Sequence, residues 1–181
     1  MDALTLELDS RRRIYDAVCK YPGTHLREIG RTVSLSPNLV DYHLLYLEKR
    51  ELVSSLQDGL YKRYFPKDVI GEGRHRDLID APDKCIVSLL RQRMPFRITL
   101  LLLKNGPMTH GRMVERIRKS PSTVSHHLDK LMKAGVVSKN EGKSEFAISS
   151  PAKIERILLQ FNPQPANLTE GFLEIWDDLV L

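Results

Sequence analysis

The chain has 181 residues, with 28 basic and 23 acidic side chains and a net charge of +5, enough for one large or two small domains. Its longest apolar run, Leu100 to Leu103, is far too short to span a bilayer. Its two cysteines, Cys19 and Cys85, lie in no C-x-x-C pattern, which leaves a structural zinc site without ligands.

The basic charge is localised. Residues 10–66 sum to +4 and residues 82–160 to +9, whereas 161–181 sum to −4. A concentrated positive field is the electrostatic footprint of nucleic-acid binding, and a merely solvated basic face is the competing reading. The first residues, MDALTLELDSRRR, carry acids and no apolar core where a signal peptide has the reverse, so a soluble, cytoplasmic protein with no membrane partner is expected. The cysteines are expected to act as small hydrophobes on helices.

In chain order, Asp9 or Ser10 caps a helix over 11–20, and Tyr21-Pro22-Gly23-Thr24 breaks it. A short helix is predicted over 26–33, a turn at Ser34-Leu35, and a third helix from Ser36 to about residue 50. Residues 52–56 read as a strand, Gln57-Asp58-Gly59 as a hairpin turn, and 61–65 as the returning strand, ended by Pro66. Residues 67–81, with Gly71, Gly73 and mixed charges, read as a connector, followed by a helix over 83–93. The order then repeats: helices over 95–105, 110–119 and 120–134, a strand over 136–139, a turn at 140–142 and a strand over 145–148. Gly135 stands where a helix end favours a left-handed residue. A helix over 151–161, a proline link at 162–165 and an amphipathic acidic helix over 168–181 complete the chain.

The repeat is legible residue by residue. SPNLVDYHLLYLEKRELVS from Ser36 and SPSTVSHHLDKLMKAGVVS from Ser120 align without a gap at an offset of 84, with Ser, Pro, Val, His, Leu, Leu and Lys identical at 36/120, 37/121, 40/124, 43/127, 44/128, 47/131 and 49/133. Serine as cap and proline in the first turn start a helix in each copy. The predicted fold is mainly α with small β-hairpin wings (α+β): two winged helix-turn-helix domains in tandem, over 10–66 and 95–150. A linker and connecting helix fill 67–94, and C-terminal helices over 151–181 are expected to pack or dimerise.

On a helical wheel, the second copy turns Val124, Leu128 and Leu131 inward. Ser122, Thr123, His126, Asp129, Lys130 and Lys133 face outward, with Ser125 and His127 at the boundary. Small hydroxyls and an imidazole near the start of a helix, capped by Ser120, suit base edges; the lysines suit phosphates. The first copy offers Asn38, Leu39, Tyr42, Leu45, Tyr46 and Lys49, with His43 beside them. That is a poorer DNA face and one that also suits protein contact. Lys62 and Arg63 in the first wing and Lys139 and Lys143 in the second are placed to meet backbone or minor groove.

These strings resemble the reading helices of ArsR/MarR-like winged-helix transcriptional regulators, and the pair resembles archaeal tandem winged-helix regulators, over roughly residues 10–150. The resemblance implies double-stranded DNA as partner and base or backbone contacts by Ser122, Thr123, Ser125, His126 and His127. The cysteine motif of the metal-sensing branch is missing, so neither metal nor other cofactor is expected.

Catalysis is not expected. Adjacent residues His126 and His127 point about 100° apart on a helix and do not converge on one ion. Gly71-Glu72-Gly73 is a lone glycine fragment, and 106–111 lacks a P-loop lysine. Two readings remain: a homodimeric sequence-specific DNA-binding regulator, or a tandem winged-helix scaffold that contacts transcription or chromosome proteins.

Overall fold

The computed structural model describes residues 9–70, 74–140 and 142–161, and the chain divides into two units, Met1–Ser88 and Leu89–Leu181. The predicted helix and link over 162–181 lie outside the described residues.

In the first unit, α1 (Asp9–Lys20) ends at Tyr21-Pro22-Gly23, where Gly23 takes φ +81° and its amide donates to the Tyr64 carbonyl. A Cβ there would lie 3.0 Å from Val87 Cγ1, so both backbone angle and space call for glycine. The next two residues form β1 (Thr24–His25), which is too short to announce itself in sequence and exists because Tyr64 and Arg63 pair with it. The helices α2 (Leu26–Val33) and α3 (Pro37–Lys49) follow, separated by Ser34 at φ 54°. Their apolar faces, with α1, bury Ile14, Val18, Ile29, Val33, Val40, Leu44 and Leu47.

The wing is larger than the sequence predicts. Strand β2 (Val53–Asp58) turns at Gly59-Leu60 into β3 (Tyr61–Ile70), which passes through Pro66 instead of stopping there. Pro66 stands opposite Val53, the first residue of β2, so the missing N–H falls where that pairing runs out. Beyond it β3 takes a new partner, β4 (Arg74–Asp77), with Lys67 across from Asp77 and Asp68 across from Arg76. Residues 67–70 and 74–77 are therefore sheet and not connector: the opposite charges face each other in register, as cross-strand pairs favour. The end of that strand is tied to α4 (Ala81–Leu90) by the buried Lys84, which reaches Asp77 at 2.6 Å and Ser54 at 2.9 Å. Burial raises the Asp77 carboxyl, but the hydrogen bonds from Lys84 and Ser54 outweigh it and hold it below its ordinary value.

The second unit rebuilds the module. Helix α5 (Arg93–Asn105) places Pro95 in its first turn, where no amide hydrogen is needed. After it come β5 (Met108–Thr109), α6 (His110–Ile117), α7 (Pro121–Lys133), β6 (Val137–Asn140), β7 (Glu145–Ile148) and α8 (Pro151–Phe161). β7 pairs with both β5 and β6. Leu102, Met108, Met113, Ile117, Val124, Leu128, Leu131, Phe146, Ile154 and Ile157 are buried.

Corresponding hydrogen bonds show how closely the copies agree. The amides of Leu52 and Val136 reach Leu47 and Leu131 at 3.0 and 2.9 Å, and the amides of Lys67 and Ser149 reach Leu52 and Val136 at 2.9 Å each. The offset falls from 84 before the wing to 82 after it, so the second wing is two residues shorter. Contrary to expectation, Cys19 and Cys85 are exposed free thiols, on the outward sides of α1 and α4.

Candidate nucleic-acid interface

Helix α7 begins with a cluster of hydroxyls. Ser120 Oγ accepts from the Thr123 amide at 3.3 Å and lies 2.7 Å from the Thr123 hydroxyl and 3.1 Å from that of Ser122. Ser120, Ser122 and His126 are exposed, and Thr123, Ser125, His127 and Lys130 are half-buried. Ser125 does not face solvent freely: its hydroxyl lies 2.9 Å from His110 Nε2, at the first residue of α6, so it ties the two helices of the motif together.

The identical histidines of the repeat share a structural environment. His43 is 3% exposed, and Nδ1 of both His43 and His127 is buried without a hydrogen-bond partner among the described residues. Each ring lies edge-on to its preceding neighbour, Tyr42 or His126, at 5.2 Å. Burial lowers both pKa values, helped by Arg11 beside His43 and by His126 and Lys130 beside His127. His43 is thereby withdrawn from the surface on which the sequence placed it.

The wings differ in how their cations are used. Lys139 and Lys143 are exposed, and neither meets a carboxylate among the described residues; Lys139 Nζ sits 5.8 Å from the Phe146 ring centre. In the first wing, Arg63 is 4% exposed, pairs with Asp58 at 2.6 Å and donates to the Gly23 carbonyl at 3.0 Å. Lys62 pairs with Glu48 at 2.8 Å, and Glu48 also accepts from Ser55. The expected backbone contact by Arg63 is thus replaced by a buried tie between wing and β1, because the residue lies on the face of β3 turned toward the core.

The outward face of α3 is apolar and aromatic. Tyr42 is 60% exposed, Leu45 55% and Leu39 38%, with Asn38 exposed beside them. Tyr46 is covered by the guanidinium of Arg11, 3.7 Å from its ring centre. Ser36 makes no side-chain cap bond, unlike Ser120. Two cations escaped the sequence reading: Arg27 and Arg31 on α2, whose signal was a like-charged pair one helical turn apart.

A family model of the bacterial arsR regulatory proteins matches residues 97–139, and a model of an N-terminal HTH domain matches residues 8–75. The chain carries two winged helix-turn-helix domains in tandem. This tandem winged helix-turn-helix protein is 31% identical over 135 residues to an uncharacterized HTH-type transcriptional regulator of Methanocaldococcus jannaschii, a match covering 74% of the chain and 32% of that relative. It therefore spans about a third of the length of the curated relative it matches. No described helix is long and apolar enough to cross a membrane, and the described residues contain no cluster of three or more His, Cys, Asp or Glu that could hold a metal ion.

Proposed function

We propose that the chain is a sequence-specific DNA-binding transcriptional regulator, cytoplasmic and non-enzymatic, in which the second winged helix is the principal reader. The observation that carries this reading is the surface of α7: exposed Ser122 and His126 near its N-terminus, with the uncommitted lysines Lys139 and Lys143 on the wing of the same unit. Small donors at the start of a recognition helix approach base edges, and wing cations take phosphates. A homodimer would present the reader twice and favour a palindromic site.

The Ser122→Ala/His126→Ala double variant tests the assignment. Sequence selection from a random duplex pool is expected to yield a defined motif for the natural protein and a relaxed one for the variant, with a loss of about 1–3 kcal/mol of discrimination. An unchanged motif would remove α7 from the reading role.

A second reading is favoured by Leu39, Tyr42 and Leu45 on α3: a scaffold whose first unit contacts transcription or chromosome proteins. Aromatic-rich exposed faces are typical of such interfaces. Association through that face would tolerate salt, whereas DNA binding falls steeply with it.

A further inference from the structure

The first unit contains a groove of about 520 Å³ lined by His25, Arg27, Arg31, Ser34, Leu35 and Tyr61, with Gly30 and Pro37 completing it. It runs between α2, the turn after it and the tip of the wing. Its size falls within the range of small-molecule sites, ~300–1,000 Å³.

Its chemistry is cationic and aromatic. Arg27 and Arg31 stand one turn apart on α2, where like charges repel, and neither forms an ion pair or side-chain hydrogen bond among the described residues. Both reinforce a positive field felt by His25. Burial lowers the His25 pKa first; the nearby Glu28, 3.9 Å away, opposes this, and Arg63, Arg31 and Arg27 add to it. The ring of His25 lies 5.1 Å from that of Tyr61, tilted by 32°, and Tyr61 remains half exposed. Two free guanidiniums beside a flat ring suit a ligand with an anionic group and a ring of its own, since guanidinium forks bind phosphate and aromatic faces stack.

The second unit lacks this arrangement. At the repeat offset, Arg27 and Arg31 correspond to Gly111 and Glu115, and the His25–Arg63 register pair corresponds to Thr109–Glu145. Arg112 and Arg116 of α6 are displaced one position, about 100° around the helix. A groove built for DNA backbone would be expected in the unit with the better reading helix, yet that unit replaces its cations with a glycine and acids.

We propose that this groove is a binding site for a small phosphorylated ring compound of the nucleoside monophosphate class, making the first unit a ligand-binding module. Arg27 and Arg31 hold the phosphate, and Tyr61 takes the base.

Calorimetric titration of the full chain with AMP, GMP, CMP, UMP and inorganic phosphate tests this without requiring any DNA activity. Saturable binding of at least one nucleotide is expected, about tenfold tighter than inorganic phosphate. The Arg27→Ala/Arg31→Ala variant should weaken it about tenfold or more and Tyr61→Ala several-fold, with melting temperatures unchanged. Arg112→Ala/Arg116→Ala should leave it intact. Absence of saturable nucleotide binding, or binding indifferent to the Arg27/Arg31 pair, overturns the proposal. So does a double variant whose sole change is a shallower salt dependence of duplex binding, since the groove would then be a backbone contact. Failure of the DNA-reading assignment leaves these titrations untouched.

Discussion

Glu51 holds a left-handed backbone, φ 57°, just after α3, where the second copy has Gly135 at φ 70°. A residue with a Cβ pays about 1 kcal/mol or more for this conformation, and glycine enters it freely. Glu51 is exposed, so removing its side chain costs little. Glu51→Gly should therefore stabilise the first unit by about 0.5–1 kcal/mol, read as a higher denaturation midpoint with unchanged slope; a lower midpoint would mean that the side chain is needed. Gly135 could be read from sequence as a helix end. Glu51 could not, because nothing in its chemistry announces a positive φ, and the repeat alignment supplies the hint. The same holds for Ser36 and Ser120, identical in sequence yet capped differently: a hydroxyl's partner depends on the rotamer and neighbours it is given.

At the scale of elements, the helices α3 and α7 were readable because an apolar stripe at helical spacing and a Ser-Pro start reinforce one another. The strands β1 and β5 were not, since two residues carry no periodicity and pair only where a third strand is brought alongside. The wings contrast most. Arg63 and Lys139 both looked like wing cations, but Arg63 is buried against Asp58 and the Gly23 carbonyl, whereas Lys139 is exposed. Arg63→Ala should cost about 2 kcal/mol of stability by removing the buried ion pair to Asp58 and the donor to the Gly23 carbonyl. Lys139→Ala should leave stability within about 0.5 kcal/mol and lower the salt slope of DNA binding by about 1. Thermal melts and salt titrations of both variants separate the roles; an Arg63 variant that melts normally would contradict the buried tie.

Across the whole molecule, His25, His43 and His127 all have pKa values lowered from 6.5, chiefly by burial. The unfolded chain therefore binds these protons at higher pH than the folded one. Their stabilising effect is fully present above pH 6.5 and is lost as pH falls below it. Melting temperature should drop between pH 7 and pH 5, and less steeply in a His43→Gln/His127→Gln variant; a rise over that interval would contradict the neutral, buried state. The sequence by itself determined the tandem architecture, because a gapless repeat of inward leucines and valines can pack in few ways. It also determined where basic charge concentrates, because charge is composition. Only the tertiary structure decided which cations are spent and which are free, since a lysine or arginine is committed by the carboxylate or carbonyl that folding brings beside it. By that criterion Lys62 and Arg63 serve the fold, while Lys139, Lys143, Arg27 and Arg31 face outward to whatever the protein binds.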